Sequence, residues 1–326
     1  MSTPSPPLAW NHPESPFHPG ELVAQERAGV SARADLIGRH NIRDSIPLSH
    51  RLFLAELSLV LLSGQDATGQ PWVSLRTGLP GFVSSPNGQT LLIEGQATGG
   101  DPLAREWRAG SLIGMLGFDP PTRRRNRING VITSVEDGRL VVSVTQCYGN
   151  CPQYIQSRTP TVVDDPTTRA SGACSISTAL NEADQRLLAC TDTFFIASAN
   201  PSMDAGAGCG ADISHRGGKP GFIRVDDDRT LTTPDFSGNS MFNTIGNLVS
   251  YPRAGLLVVD FDTGDLLHLA AAAEIIWDGP EVRAHTGAER LVRFRIREVR
   301  RAMQALPLQW SKVEYSPQLA RTGTWI

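Results

Sequence analysis

"SLRTGLPGF" occupies residues 74–82, and "SHRGGKPGF" occupies residues 214–222. Both spell S-x-R-x-G-x-P-G-F. Across the wider windows 74–91 and 214–231, eight of eighteen positions are identical, where random pairing gives about one. The match continues outward in order. "HRLFLAELSLVLLS" (50–63) faces "QRLLACTDTFFIAS" (185–198), "RAGSLIGML" (108–116) faces "RAGLLVVDF" (253–261), and "RLVVSV" (139–144) faces "RLVRFRI" (290–296). The spacing between matched segments only grows along the chain, as when a second copy carries longer loops between the same elements. The chain reads as a tandem duplication.

Each copy opens on a short helix, with Leu52, Phe53 and Leu57 in the first and Leu187 and Leu188 in the second at helical spacing. Short apolar runs follow, at 59–62, 82–83, 91–93, 112–116, 131–135 and 140–144. The second copy repeats them at 194–197, 222–225, 256–261, 266–269, 274–277 and 291–296. Asn87-Gly88, Asp137-Gly138, Thr263-Gly264 and Asp278-Gly279 supply turns between them. Six short strands per copy joined by tight turns describe a small antiparallel barrel, mainly β with flanking helices. The expected division is an N-terminal arm (1–49), a first barrel (50–163), a linker (164–184), a second barrel (185–310) and a C-terminal tail (311–326).

Composition narrows the function. A net charge of −3 and a pI near 6.2 give no electrostatic reason for a nucleic-acid or anionic-membrane partner. The Pro-rich opening "MSTPSPPLAWNHPESPFHPG" lacks a basic n-region and an apolar h-region, so it reads as an extended arm rather than a signal peptide. The five cysteines (147, 151, 174, 190 and 209) lack metal-ligand spacing, so no metal is expected, and reduced thiols in a cytoplasmic protein are.

The segments "FHPGE" (17–21), "GQPWVSLRTGLPGF" (69–82), "NRING" (126–130), "GNCPQYI" (149–155), "DTFFIAS" (192–198), "SHRGGKPGF" and "PDFSGNSMFNTIGNL" (234–248) stand in this order. Together they resemble the FMN-binding split β-barrels related to pyridoxamine 5′-phosphate oxidase. The resemblance implies two tandem split β-barrels in one chain, forming a pseudo-dimer with FMN in the groove between them.

FMN carries a phosphate dianion, a ribityl chain and an isoalloxazine with a polar edge, so its site needs cations or oriented N–H groups, close backbone and amides. "SHRGGKPGF" offers Ser214, Arg216, Gly217 and Gly218, then Pro220, Gly221 and Phe222, which in the family lie along the flavin. "PDFSGNSMFNTIGNL" offers Asn239, Ser240, Asn243, Thr244 and Asn247, as an exposed polar loop entering a helix whose first N–H groups face phosphate. Its first-copy counterpart, "IEGQATGGDPLAREW" (93–107), is shorter and carries Asp101 and Glu106, which would repel phosphate.

The family's Arg-x-Asn-Gly survives as Arg127–Gly130 in the first copy but becomes His268-Leu269-Ala270-Ala271 in the second, which points to a composite pocket reached by Arg127. Arg123, Arg124 and Arg125 read as a solvated hairpin end, and His215 as a surface residue. Asn150 and Gln153, after the last first-copy strand, can hydrogen-bond a flavin edge; Cys151 has no assignable catalytic partner.

The expected function is an FMN-dependent oxidoreductase acting on a small molecule, its electrons supplied by a reductase or NAD(P)H. The competing reading is a non-catalytic relative that binds or stores flavin, haem or another ligand.

Overall fold

The computed structural model describes residues 8–162, 173–202 and 208–325. The first seven residues of the expected arm and positions 164–172 of the expected linker lie outside the described residues.

The chain opens with α1 (Pro19–Arg27), α2 (Ser31–Asn41) and α3 (Leu48–Ala55). The first barrel follows: β1 (Leu59–Gln65), β2 (Pro71–Thr77), β3 (Val83–Ser84), β4 (Thr90–Ile93), β5 (Gln96–Ala97), β6 (Leu112–Asp119), β7 (Arg124–Glu136) and β8 (Arg139–Gly149). After β9 (Pro160–Val162), β10 (Cys174–Ser177) and α4 (Glu182–Cys190) come β11 (Thr193–Asn200), β12 (Gly210–Gly217), β13 (Arg224–Asp227) and β14 (Thr230–Phe236). Then follow α5 (Asn243–Ser250), β15 (Arg253–Val259), β16 (Leu266–Ile276), α6 (Pro280–Ala284), β17 (Ala288–Ala302) and β18 (Leu308–Trp310).

Both sheets are antiparallel and share one topology. The first runs β3-β4-β8-β7-β6-β1-β2-β5, and the second runs β13-β14-β17-β16-β15-β11-β12, with β10 added against β17. Strand for strand the orders coincide, so the chain holds two tandem split barrels facing each other as a pseudo-dimer. The repeated motif itself is a strand and turn: β2 in one copy and β12 in the other.

Strand alternation explains why β1 and β11 are apolar almost without interruption. Val60 and Leu62 point into the first barrel, and Phe194 and Ile196 into the second. Their neighbours Leu59, Leu61, Phe195 and Ala197 point the other way, into a shared cluster between the barrels with Val73, Leu75 and Ile213. Both faces are buried, so neither strand shows a polar face.

Hydrogen-bond register corrects two sequence matches. Arg76 pairs with Val60 and Arg216 with Phe194; following the ladders from there makes Gly114 equivalent to Gly255. The "RAG" match had set Gly114 against Val259, four residues away. Likewise Val142 is equivalent to Phe294, not to Arg293. The equivalence of Arg127 and His268 holds: they pair with Leu116 and Leu257 respectively.

The glycines show why register matters. A Cβ on Gly114 would lie 2.4 Å from the Ala211 carbonyl oxygen, and one on Gly255 would lie 2.3 Å from that of Pro71. Ala211 and Pro71 are themselves equivalent. Each barrel therefore lays its third core strand directly on the partner barrel's motif strand, and only glycine permits the approach.

Three local expectations change. Leu52 is 60% exposed, because α3 turns its Phe53 and Leu54 inward instead. Segments 266–269 and 274–277 form one continuous strand, β16, since its polyalanine centre keeps the ladder with β15 and β17 unbroken. The arm is largely helical from Pro19 onward, where His18 and Glu21 form a capping box with Pro19 at the first helical position.

Candidate functional site

At the C-terminal end of β12 the barrels and the arm enclose a cavity of about 560 Å³. The first barrel contributes Arg125, Arg127 and the loop 150–154; the second contributes β12, the loop 234–245 and Arg290; the α1–α2 turn contributes Arg27 and Arg33. Among the described residues its lining holds six arginines (27, 33, 125, 127, 216 and 290) against three carboxylates (Asp235, Asp278 and Glu289). The site favours an anion.

The inner cations are poorly matched by counter-charge. Asp235 is shared: Arg290 donates to one of its oxygens, while the Arg216 Nε stands 3.5 Å from the other. Arg125 has no carboxylate partner; its Nη1 donates to His215 Nδ1 at 3.0 Å and its Nε to the Cys151 carbonyl at 3.1 Å. Burial pulls the Arg125 guanidinium down to about 10, and burial likewise lowers that of Arg216. Both remain charged at neutral pH, and each depresses or crowds its neighbours, a tension that a bound anion relieves.

The start of α5 faces the same space. Its cap residue, Phe242, is left-handed at φ 65° and provides no side-chain cap, as Ser240 before it is also left-handed at φ 64°. The loop thus delivers the first N–H groups of α5 to the cavity without an internal acceptor. Backbone strain of this kind persists only where surrounding contacts impose it.

Behind the cavity a buried polar network ties the arm and both barrels together. Asp212 accepts from Arg127 Nη1 at 3.1 Å, Asn129 Nδ2 at 2.8 Å and Asn247 Nδ2 at 2.7 Å. Arg127 also donates to Tyr148 at 3.0 Å and to the Ser214 hydroxyl, which is 2.8 Å from that of Thr244. Glu21 accepts from Asn243 Nδ2 at 2.5 Å and from the His18 backbone. Burial first, and then the Asp212 charge, raise the Glu21 carboxyl well above the ordinary range.

Of the residues expected at the site, Ser214, Arg216, Gly217, Phe222, Asn239, Ser240, Asn243, Thr244, Arg127, Asn150 and Gln153 line this cavity. Asn239 and Asn150 meet across the barrels, Nδ2 donating to Oδ1 at 3.0 Å. Gly218, Pro220, Gly221 and Asn247 do not line it. Gly218 makes room for Phe222, Pro220 and Gly221 form the turn with Gly221 at φ 81°, and Asn247 serves the Asp212 network. The loop is less exposed than expected: Asn243 is 8% exposed, because α1 covers it through Glu21.

Two readings of the sequence are overturned. His215 is buried, not superficial: strand alternation turns it between the barrels, where its ring stacks on Phe118 at 5.3 Å. Burial, then Arg125 and Arg216, hold its pKa well below the ordinary value, so the neutral ring accepts from Arg125 at Nδ1 and carries its proton on Nε2. The arginine run is not a uniformly solvated hairpin end, since Arg125 turns into the cavity while Arg124 lies over Phe53. His18, Glu21, Asp212, Asp235 and Arg290 carried no motif; their partners are remote in sequence.

The pseudo-symmetric position in the other half is filled. Trp72 stands where Asp212 does, and it packs with Leu103, Ala270 and Trp107. Ser74 donates to Asp101 at 2.5 Å, and burial raises that carboxyl to about 6. His268, in the place of Arg127, is completely buried with neither ring nitrogen hydrogen-bonded. Arg76 turns to its own barrel, donating to the carbonyls of Gly95 at 3.1 Å and Gly138 at 2.8 Å.

No protein-family model matches the sequence, and no curated protein matches it. Among solved structures, the chain is similar to a candidate pyridoxamine 5′-phosphate oxidase from Lactobacillus delbrueckii, at 17% identity and a TM-score of 0.30, covering 38% of this chain and 94% of that one. It is also similar to HupZ of Group A Streptococcus, at 13% identity and a TM-score of 0.28, covering 36% and 90%. A third is an FAD-binding protein from Mesorhizobium loti, at 12% identity and a TM-score of 0.27, covering 39% and 97%. Likenesses of this size say nothing of ligand or reaction, which rest on the residues themselves. Among the described residues, no helix is long and apolar enough to cross a membrane.

Proposed function

We propose that this chain is a cytoplasmic, tandem member of the FMN-binding split-barrel family, and that it binds one FMN in the cavity between its barrels. The observation that carries the reading is the convergence of Arg125, Arg216 and the uncapped start of α5 on one cavity, with arginines outnumbering carboxylates six to three. The volume suits a cofactor of this size, within the ~300–1,000 Å³ usual for ligand pockets.

In this reading Arg125, Arg216, Ser214 and Thr244 take the phosphate with the α5 N–H groups, adding charge-assisted bonds where the protein leaves donors unmatched. Asn150, Gln153 and Asn239 take the polar edge of the ring, and Gly217 lets the ligand approach backbone. Arg127 holds Ser214 and Asp212 in place from behind. Bound flavin supplies the electron and hydride chemistry, so the protein's part is binding, orientation and exclusion of water. The substrate is a small molecule, with electrons drawn from a reductase or NAD(P)H.

The second reading is flavin storage without turnover. Haem ligation is disfavoured, because the Nδ1 of His215, the histidine lining the cavity, already accepts from Arg125. Visible spectroscopy on purified protein with added FMN tests both. Bands near 370 and 450 nm (roughly, as for the free cofactor) that co-purify at one FMN per chain are expected. A protein that leaves all FMN free on gel filtration refutes the proposal. Reduction of the bound flavin by NADPH without any acceptor turnover favours storage.

A further inference from the structure

The cavity's outer rim carries charge that flavin binding leaves unused. Arg27 closes α1, Arg33 opens the α2 helix, and both line the cavity mouth on either side of a tight turn at Gly29, φ 69°. Among the described residues Arg33 has no hydrogen-bond or ionic partner. The contact Arg27 makes is with the Trp277 ring, 4.6 Å from guanidinium carbon to centroid. Two carboxylates share this rim. Glu289 is engaged by Arg290 at 2.8 Å, which leaves Asp278 to face two uncommitted guanidiniums.

Trp277 is a partly buried cavity-wall residue, and Arg290 also stands over its ring, at 5.5 Å. A planar heterocycle can take the place of a guanidinium against an indole, since both bind the ring through its face. Arg27, released, would then share a phosphate with Arg33.

We infer that Arg27, Arg33 and Trp277 form a second subsite, at the rim of the cavity, for a phosphorylated planar heterocycle such as a nucleotide. The subsite rests on the flavin reading for its role, because it would seat a second ligand beside the cofactor. Its binding chemistry can be measured without that reading. The phosphate goes between the two arginines of the α1–α2 turn and the ring goes to Trp277, so the combination binds better than either part.

The test is calorimetry on the full chain loaded with FMN, using AMP, adenosine and inorganic phosphate as probes. AMP should bind, with adenosine and phosphate each at least tenfold weaker. Arg27→Gln/Arg33→Gln should weaken AMP at least tenfold while FMN affinity stays within twofold. Trp277→Leu should bring AMP down to the level of phosphate. Phosphate binding as tightly as AMP in wild type would mean a simple anion site and overturn the inference. So would AMP binding unchanged in the double variant, or AMP displacing FMN. If the protein takes up no FMN, the flavin reading fails separately. AMP is then titrated into the unloaded chain, where loss of binding in Arg27→Gln/Arg33→Gln but not in Arg125→Gln upholds the rim, and the reverse pattern overturns it.

Discussion

Arg127 of the first barrel donates to Asp212 of the second across 3.1 Å, and both side chains are about 95% buried. Neither could be buried alone. The pair is surrounded by further partners, Tyr148 on one side and Asn129 and Asn247 on the other, which satisfy what the ion pair leaves over. Arg127→Met should therefore cost about 3–5 kcal/mol, the penalty for stranding a buried charge rather than the worth of the pair. Arg127→Met/Asp212→Leu should recover part of that loss. Urea denaturation of the three proteins measures it. A wild-type midpoint for Arg127→Met would mean the pair does not hold the barrels together.

The two interface glycines give a symmetric prediction. Gly114 and Gly255 occupy equivalent places, each with no room for a Cβ against the other barrel's backbone. Gly114→Ala and Gly255→Ala should each destabilise by about 1–3 kcal/mol, the usual cost of overpacking, and by similar amounts. Gly238→Ala is the control, because nothing lies within 4 Å of its added methyl. Thermal melts that separate Gly114→Ala from Gly255→Ala widely would argue against a true pseudo-twofold contact.

What the sequence revealed follows from which residues are constrained locally. The S-x-R-x-G-x-P-G-F repeat was legible because strand, turn and glycine are dictated within nine residues, and it placed β2 on β12 in register. The "RAG" match misled, since Arg108 and Arg253 occupy different places in their barrels and share only a name. Site residues on β12 and the 234–245 loop were legible through family likeness. His18, Glu21, Arg125 and Asp212 were not, because each gains its role from a partner far away in the chain: Glu21 from Asn243, Asp212 from Arg127. Arm helices over a cavity leave no periodic signal that marks them as part of a site.

Stability should fall in mild acid, and His268 is one identifiable cause. Burial, then Arg300, lower its pKa to about 4, against about 6.5 in an unfolded chain. The unfolded state thus takes up the proton first. The stabilisation is complete above about pH 6.5 and drains away as pH drops toward 4. At pH 5 that amounts to about 2 kcal/mol, since 1.36 kcal/mol accompanies each unit. His268→Met should flatten the slope between pH 7.5 and 5 by about this much. His215 and His18, lowered also by burial, keep some slope in the variant. Guanidinium titrations at the two pH values decide it; an unchanged slope would remove His268 from the account.

The last prediction sets the two motif arginines against each other. Arg216 lines the cavity and shares Asp235 with Arg290, so removing it leaves that carboxylate still paired and the fold intact. Arg76, its equivalent, spends its guanidinium on two carbonyls of its own barrel, beside a position closed by Trp72, Leu103 and Trp107. If FMN binds where we propose, Arg216→Ala should weaken it by about 1.5–3 kcal/mol, the range for one charge-assisted hydrogen bond. That is roughly a 10- to 150-fold rise in Kd. Arg76→Ala should leave FMN affinity unchanged while costing some stability, because two backbone acceptors lose their donor. Flavin titrations and melts on both variants separate these effects. Equal losses of FMN would show the pseudo-symmetric pocket to be open, whereas no loss from Arg216→Ala would move the phosphate away from β12.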